Sequence, residues 1–348
     1  LSPFSSLLFP SSFFLPPLFL INYLCFSFYF LMKVTEHLNR ADKTLLSFEI
    51  LPPLKGKSIQ NIYSVLDPLV EFKPAFINVT YHRSEYIYKK RGDERFDKVF
   101  IRKRPGTVGI CAAVQFKYHI DSVAHIICGG FTKEETEDAL IDLSYLGIDN
   151  VLLLRGDASK NERDFIPEPG GHSHAVDLVR QVVDMNRGKY LEEDSIQGYK
   201  TDFNIGVAGY PEKHFESPNL KSDLKHLKEK IDAGADYIVT QMFFDNQQFF
   251  AFVDRCRAEG ITVPIIPGIK SITAASQIHS IPRTFHVDIP EALIDTIEKC
   301  TTAEAVKKAG VAWCIEQSRE LVKAGVPCIH YYTMGNVDAM RSILTEVF

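Results

Sequence analysis

The sequence lacks several features that would point to common classes of binding protein. Its seven cysteines include no C-x-x-C pair, which argues against a zinc site or a disulfide framework and fits a reducing, cytoplasmic setting. An excess of positive charge is also missing: the net charge is −5, so we expect no nucleic-acid partner. His172 and His174 have no third ligand at a convincing spacing, so we expect no metal site.

The first 31 residues contain no charged side chain. Phe, Leu, Ser and Pro fill 26 of these 31 positions, and the first Met of the chain follows at Met32. A secretory or anchor segment is one interpretation, but such segments begin with basic residues and end at a small-residue cleavage site. Pro10, Pro16 and Pro17 would also interrupt a membrane-spanning helix. We therefore expect residues 1–31 to be an apolar leader foreign to the native protein, and residues 32–348 to form one domain.

From Met32 onward, short apolar runs alternate with amphipathic helical stretches, and this alternation predicts a fold. Nearly continuous apolar runs are typical of parallel strands that are covered on both faces. Eight such units predict a single-domain α/β fold, a (β/α)₈ TIM barrel. An open doubly wound sheet is the alternative, but no Gly-x-Gly-x-x-Gly motif follows any strand. The predicted strands are Leu45–Ile50, Phe76–Thr80, Thr107–Val114, Asn150–Leu154, Asn204–Gly209, Tyr237–Phe243, Val263–Pro267 and Cys328–Thr333.

Glu49 is the most informative single residue, because it lies inside the apolar run that ends at Pro52 and Pro53. A carboxylate among Leu, Phe and Ile is costly to bury unless it is paired, hydrogen-bonded or protonated. Desolvation would raise its pKa, and a carboxyl group that keeps its proton near neutrality can act as a general acid. A structural carboxylate that caps a neighbouring loop would fit the local sequence equally well.

Polar residues recur at the carboxyl ends of the predicted strands, where barrels of this kind carry their active sites. Arg155 and Asp157 flank a glycine that lets a ligand approach the backbone, although a solvent-facing turn is the alternative. Tyr210 with His214, and the amide of Gln241, could contact a planar ring, although a core tyrosine or a loop-bracing glutamine would look the same. The full set is Glu49, Thr80, Gln115, Asp157, Tyr210, Glu212, His214 and Gln241.

Eight short motifs extend this pattern over nearly the whole chain after Met32. In order they are Ser47-Phe48-Glu49 with Pro52-Pro53, Asn78-Val79-Thr80-Tyr81, Leu154-Arg155-Gly156-Asp157, Tyr210-Pro211-Glu212-Lys213-His214, Asp232-Ala233-Gly234-Ala235-Asp236, Thr240-Gln241-Met242-Phe243-Phe244-Asp245, Ile266-Pro267-Gly268-Ile269 and His330-Tyr331-Tyr332-Thr333. Each motif is common by itself. Together they resemble methylenetetrahydrofolate reductase of the short bacterial type, which consists of the catalytic domain alone.

The resemblance implies a flavoprotein barrel that binds FAD and reduces 5,10-methylenetetrahydrofolate to 5-methyltetrahydrofolate with NADH or NADPH, supplying one-carbon metabolism and methionine synthesis. In such a protein the flavin carries the hydride while the protein orients the reactants. By similarity, Glu49 would be the general acid that opens the five-membered ring of the folate. Asp157 would lie by the flavin and the pterin, and Gln241 would bind whichever substrate occupies the site.

The resemblance also implies a set of FAD contacts and a homo-oligomer without regulation by S-adenosylmethionine. The sequence departs from the family pattern at His226 and Glu229, at Ala275, and at Gly335-Asn336, where the family often has Asn, Arg, an aromatic residue and Arg, respectively. The implied FAD contacts are Thr80, His125, Arg155, Gly156, Asp157, Ala208, Tyr210, His214, Asp223 and Lys230.

Two other functions remain as alternatives at this point. One is a different flavin-dependent TIM-barrel oxidoreductase, similar to proline dehydrogenase, which NADH would not reduce. The other is a membrane-anchored binding barrel, which depends on residues 1–31 and predicts a colourless product.

Overall fold

The computed structural model describes residues 31–92, 94–158, 162–192 and 198–348. The predicted leader therefore lies outside the described residues except for Leu31. The described strands are β1 (Leu45–Ile50), β2 (Phe76–Val79), β3 (Glu85–Lys90), β4 (Phe96–Ile101), β5 (Asp121–Ile127), β6 (Asn150–Leu154), β7 (Asn204–Gly209), β8 (Tyr237–Met242), β9 (Ile265–Ile269) and β10 (Cys328–Tyr332).

Eight of these strands form a closed barrel in the order β1-β10-β9-β8-β7-β6-β5-β2. Every neighbouring pair in it is parallel, so the carboxyl ends of all eight strands lie at one end. Side chains such as Phe76, Val123 and Tyr237 fill the interior, which is a packed core rather than a channel. The predicted (β/α)₈ TIM barrel is confirmed.

The prediction of the third strand is wrong. Thr107–Val114 belongs to a helix, α3 (Thr107–Tyr118), and the third strand of the barrel is β5. Residues of α3 are buried mainly on one side, including Ile110, Cys111 and Val114, whereas every residue of β5 is buried. A short run rich in β-branched and apolar residues fits either a buried strand or a packed helix, so periodicity alone does not separate the two.

Gln115 is consequently not a strand-end residue, and its predicted place among the polar groups of the site is also wrong. Its side chain lies on α3, where its amide nitrogen donates to the Gly147 carbonyl at 3.0 Å. Its amide oxygen accepts from the Ser122 backbone N–H at 3.1 Å. Gln115 therefore braces the start of β5 from outside the barrel.

The remaining helices surround the barrel. A short 3₁₀-helix, Val70–Phe72, precedes β2. Thr132 and Glu135 form a capping box at the start of helix α4 (Lys133–Tyr145). The other helices are α1 (Val34–Arg40), α2 (Gln60–Leu66), α4 (Lys133–Tyr145), α5 (Ala175–Asn186), α6 (Leu220–Asp232), α7 (Asn246–Ala258), α8 (Gln277–Phe285), α9 (Glu291–Glu298), α10 (Ala303–Lys323) and α11 (Val337–Val347).

Helix α1 packs against the amino-terminal end of the barrel. Its first N–H groups, which lack partners inside the helix, are satisfied by side chains at the starts of two strands. The Val34 N–H donates to Asn150 Oδ1 at 2.8 Å, and the Thr35 N–H donates to Asn204 Oδ1 at 3.2 Å. Val34 is fully buried against the interior side chains of the barrel. This packing leaves the carboxyl end for ligands.

Strands β3 and β4 form an antiparallel hairpin between β2 and α3, at the carboxyl end of the barrel. The sequence prediction did not include this hairpin. The rings of Tyr86 and Phe100 lie across it, with centroids 5.1 Å apart. Beyond the hairpin, Arg104 donates to the Pro52 carbonyl in the loop after β1. Among the helices described, none combines the length and apolar character needed to cross a membrane.

Candidate active site

Glu49 lies next to the carboxyl end of β1, with 17% of its side chain exposed. Its Oε2 atom is 3.8 Å from His125 Nε2 and 4.0 Å from His330 Nε2. Strand register places Glu49 beside Asn78 of β2 on one side and Tyr332 of β10 on the other. The Thr333 hydroxyl donates to the Glu49 backbone carbonyl at 2.8 Å, which fixes the strand end that carries the carboxyl group.

The two imidazoles near Glu49 are buried and anchored from neighbouring strands. His125 Nε2 is 3.1 Å from Asn78 Nδ2, and His330 Nδ1 is 2.9 Å from the Ser47 hydroxyl. Burial lowers the pKa of His125 to about 4, although the charge of Glu49 acts in the opposite direction. His125 is therefore neutral at pH 7. We call Glu49, Asn78, His125 and His330 the carboxyl cluster.

Two buried atoms of the carboxyl cluster have no hydrogen-bond partner among the described residues. They are Asn78 Oδ1 and His330 Nε2. A buried polar atom without a partner carries a desolvation penalty of about 1–3 kcal/mol, so such atoms are uncommon in folded proteins. A bound polar molecule would relieve this penalty, which makes the cluster a candidate binding site as well as a candidate catalytic site.

A second group of predicted residues follows β6. Arg155 forms a bidentate ion pair with Glu216, in which Arg155 Nη2 is 2.8 Å from Glu216 Oε1. Gly156 has a φ of +84°, and an added Cβ would lie 3.2 Å from Ile127 Cδ1. Glycine adopts this left-handed backbone without the strain that other residues would incur. Asp157 is exposed beside Gly156, where its charge raises the pKa of Tyr210 in addition to the larger effect of burial.

The loop after β7 carries the predicted aromatic pair. Tyr210 and His214 are in edge-to-face contact, with ring centroids 4.7 Å apart. The His214 backbone N–H donates to Asp223 Oδ2 at 3.2 Å, and the Ser217 hydroxyl donates to Asp223 Oδ1 at 2.8 Å. Burial lowers the pKa of His214, and the positive charge of Arg155 lowers it further. Asp223 thus holds the loop against α6.

Lys230 extends from α6 towards the end of β7. Its ammonium donates to the Ala208 carbonyl at 2.6 Å. Burial lowers the pKa of Lys230 to about 8, while the nearby charge of Asp223 acts in the opposite direction. The structure therefore brings eight of the implied FAD contacts into one region around β6, β7 and α6, which we call the cationic cluster. Its members are Arg155, Gly156, Asp157, Ala208, Tyr210, His214, Asp223 and Lys230.

Gln241 is the next-to-last residue of β8 and is partly buried. Its side-chain oxygen accepts from the Met242 backbone N–H at 2.9 Å, which directs the amide along its own strand. The Tyr332 hydroxyl donates to the Thr240 carbonyl at 2.7 Å and so links β10 to this end of β8. Gln241 thus lies next to Thr240, the residue that Tyr332 contacts.

Two side chains that were not among the predicted site residues, His82 and Tyr332, connect the two clusters. The charges of Glu49 and Asp157 both act on His82, whose pKa is lowered mainly by burial. The charges of Glu49 and Tyr210 both raise the pKa of Tyr332, again after a larger effect of burial. Thr80, an implied FAD contact, is 3.3 Å from His82 through its hydroxyl. The predicted catalytic residues and the implied FAD contacts therefore occupy one continuous region at the carboxyl end of the barrel, whereas Gln115 lies outside it.

The sequence analysis also missed four other side chains at this end. Asn78 and His330 lie inside motifs that it singled out, so the strand-end rule could have been applied to them. Ser47 also lies inside such a motif, whereas Glu216 gave no comparable signal, because its role follows from a partner far along the chain. Ser47 contacts a residue 283 positions away, and Glu216 contacts one 61 positions away.

Comparison with known proteins then assigns the family. The methylenetetrahydrofolate reductase family model matches residues 33–347. The chain belongs to the methylenetetrahydrofolate reductase family. Both clusters lie inside the matched range, together with the barrel and the hairpin.

Relatives within the methylenetetrahydrofolate reductase family fall into two length classes. The chain is 33% identical over 321 residues to methylenetetrahydrofolate reductase 1 of Schizosaccharomyces pombe, which covers 91% of this chain and 48% of that protein. It is 28% identical over 301 residues to the 5,10-methylenetetrahydrofolate reductase of Pectobacterium carotovorum, covering 86% and 88%, respectively. The chain thus spans about half the length of the yeast protein and most of the bacterial one.

A solved structure with the same fold is that of an uncharacterised protein from Clostridium thermocellum, described as binding two copies of 5-methyl-5,6,7,8-tetrahydrofolic acid. The match has a TM-score of 0.56 at 14% identity and covers 90% of this chain and 96% of that one. Similarity at this level supports the barrel fold of this chain, and only the fold.

Proposed function

We propose that this protein reduces 5,10-methylenetetrahydrofolate to 5-methyltetrahydrofolate, using bound FAD and NADH or NADPH. The observation that carries the proposal is the carboxyl cluster: a partly exposed Glu49 carboxyl group between two buried imidazoles at the catalytic end of a barrel of this family. On the same family basis, we propose a cytoplasmic homo-oligomer.

The residues of the cationic cluster fit FAD by their chemistry. Lys230 and Arg155 supply positive charge for a diphosphate, and Gly156 lets a ligand approach the backbone without a side chain in the way. Tyr210 and His214 supply aromatic surface for a planar ring. The unpartnered Asn78 Oδ1 offers one further polar contact nearby. Bound FAD would accept a hydride from the nicotinamide and pass it to the folate.

Glu49 is the proposed proton donor. Reduction of the bridging methylene to a methyl group on N5 requires the bond between that carbon and N10 to break, and N10 must gain a proton. A carboxyl group within hydrogen-bond reach of N10 can supply this proton. Thr333 holds the Glu49 backbone in place, and the neighbouring imidazole of His125 is neutral at pH 7.

Gln241 and Asp157 are the proposed orienting residues. The Gln241 side chain bonds to its own strand through its oxygen, which accepts from the Met242 N–H. Its amide nitrogen can therefore donate to either substrate. Asp157 is exposed on the loop that carries Gly156, where a carboxylate can accept hydrogen bonds from the amino group of a pterin. Neither residue needs to exchange a proton in the reaction.

The direct test is the absorbance spectrum of the purified protein, followed by anaerobic mixing. We expect a yellow protein whose flavin is bleached by NADH or NADPH and recovers its colour when 5,10-methylenetetrahydrofolate is added. Proline serves as the control reductant and should leave the flavin oxidised. A colourless protein that FAD does not reconstitute would contradict the proposal, as would a flavin that proline reduces but NADH and NADPH do not.

A further inference from the structure

The two imidazoles that face Glu49 differ in which nitrogen atom carries the proton. Asn78 Nδ2 lies 3.1 Å from His125 Nε2, and an amide nitrogen can only donate, so His125 Nε2 accepts this hydrogen bond. The proton of the neutral His125 ring is therefore on Nδ1. His125 Nε2, the atom 3.8 Å from Glu49 Oε2, consequently has no proton to share with the carboxyl group.

His330 has the opposite arrangement, which is set by its contact with Ser47. The strand register pairs Ser47 of β1 with His330 of β10, and the Ser47 hydroxyl oxygen is 2.9 Å from His330 Nδ1. The same oxygen accepts from the Cys328 thiol at 3.6 Å, so its own proton is available to donate. Among the residues that the structure describes, His330 Nδ1 is the nitrogen or oxygen atom placed to receive that proton. In the neutral His330 ring Nδ1 then accepts, and the proton is on Nε2.

The Nε2 atom of His330 is a buried donor that faces Glu49. The His330 side chain is fully buried, and within the described residues Nε2 has no hydrogen-bond partner. It is 4.0 Å from Glu49 Oε2, about 1 Å beyond the length of a charge-assisted hydrogen bond. The His330 ring lies edge-to-face against Tyr332, with centroids 5.1 Å apart, and this contact holds it in place. A small movement of the partly exposed Glu49 side chain would close the gap.

We propose that His330 is a positioning residue for proton transfer, and that its Nε2–H stabilises the Glu49 carboxylate that forms when Glu49 has given its proton to N10 of the folate. The inference rests on the proposed function. The O–H bond of Glu49 breaks and an N10–H bond forms, while His330 keeps its own proton. A donor that is already oriented in a buried site stabilises such a developing charge without reorganisation. His125 cannot take this role through Nε2, because that atom accepts from Asn78.

The first test compares wild-type holoenzyme with two His330 variants. His330→Phe keeps a ring but has no N–H, whereas the amide nitrogen of His330→Gln can donate from near the position of Nε2. Anaerobic stopped flow measures flavin reduction by NADH or NADPH and flavin reoxidation by 5,10-methylenetetrahydrofolate separately. In His330→Phe the reoxidation should slow about tenfold or more, the effect of losing a hydrogen bond to a charged group. Flavin reduction should be unchanged, and His330→Gln should regain most of the reoxidation rate.

The dependence of reoxidation on pH separates this role from a structural one. A general acid works only while it is protonated, so the rate falls as the pH rises through the range in which Glu49 ionises. Without the His330 donor the carboxylate is less stable, so this fall should move to higher pH in His330→Phe and stay near the wild-type position in His330→Gln. A disturbed fold would instead lower the rate equally at every pH. Of the described residues, the other titratable groups whose charges interact with that of Glu49 are unchanged in both variants, namely His82, His125 and Tyr332.

Two further variants complete the test. Tyr331→Phe changes the next residue of β10, whose hydroxyl donates to Ser318 of α10 at 3.0 Å outside the barrel, and should leave the pH profile unchanged. Ser47→Ala removes the donor to His330 Nδ1 and should move the profile in the same direction as His330→Phe, by a smaller amount. It decides the question if His330→Phe does not retain its flavin.

The outcomes distinguish the inference from the proposed function on which it rests. A wild-type pH profile in every His330 and Ser47 variant that retains its flavin would overturn the inference and leave the proposed function intact. Wild-type protein whose reduced flavin is not reoxidised by 5,10-methylenetetrahydrofolate would instead refute the proposed function.

Discussion

At the scale of single residues, the proposed chemistry depends most directly on Glu49. Substitution of Glu49 by Gln keeps the size and the hydrogen-bonding surface of the side chain but removes the transferable proton. We expect flavin content and flavin reduction by NADH to be retained. Reduction of methylenetetrahydrofolate should fall by about 10²–10⁴-fold, the usual contribution of a general acid. Anaerobic stopped-flow measurement of the two half-reactions separates these effects.

The Glu316→Gln variant is a suitable control, because Glu316 lies on α10 and its side chain is 74% exposed in a surface pair with Arg319. It should leave both half-reactions unchanged. A Glu49→Gln protein with near-normal folate turnover would show that the proton comes from elsewhere. A variant that also lost its flavin would show instead that Glu49 has a structural role.

Sequence reasoning at this scale identified Glu49 and, through the family resemblance, His125, but not that they lie together with Asn78 and His330. The position of Glu49 within an apolar run before Pro52 is visible in the chain, since the cost of burying a carboxylate marks it as unusual. Its proximity to His125 and His330 depends on how three strands align in the closed barrel. Sequence periodicity assigns strands but does not fix such alignments across hundreds of residues. The carboxyl cluster therefore required the structure.

At the scale of elements, α3 and β5 show where local patterns stop being informative. Thr107–Val114 has the composition of a buried strand, yet it packs as a helix with its buried residues mainly on one side. The true strand, β5, begins only two residues after α3 ends. The predicted number of eight barrel strands is therefore correct although the third strand was misplaced. The hairpin of β3 and β4 was missed because its alternation lies in a charged segment, where it resembles a solvated loop.

Helix α1 gives a prediction that belongs to this scale. Asn150 joins the start of β6 to α1, because its Oδ1 accepts from the Val34 N–H at 2.8 Å and its Nδ2 donates to the Met32 carbonyl at 3.0 Å. Substitution by Ala should lower the free energy of unfolding by about 1–3 kcal/mol, the cost of leaving buried groups unpaired. Urea unfolding followed by circular dichroism measures this change. The exposed Asn61→Ala variant on α2 should cost under about 0.5 kcal/mol. Equal effects at the two sites would contradict the anchoring role.

At the scale of the whole molecule, a buried neutral histidine should make the stability of the fold depend on pH. The pKa of His125 is about 4 in the native barrel, because of burial, whereas an unfolded histidine titrates near 6.5. Above pH 6.5 both states are neutral at this position. As the pH falls from 6.5 to 4, the unfolded chain gains a proton that the native protein does not, so the free energy of unfolding falls. The full difference corresponds to about 3 kcal/mol.

The contribution of His125 can be measured by comparing the stability of wild type and a His125 variant between pH 7 and pH 4. His125→Gln places an uncharged amide near the position of the ring nitrogen that contacts Asn78, so the variant should lose about 2–3 kcal/mol less stability than wild type between pH 7 and pH 4. Urea titrations at several pH values measure the two slopes. His279→Gln, an exposed change on α8, controls for general effects of histidine replacement and should follow the wild-type curve. Parallel curves for all three proteins would mean that His125 accepts a proton as readily in the barrel as in the unfolded chain. In that case His125 could not keep the surroundings of Glu49 free of positive charge as the pH falls towards 4.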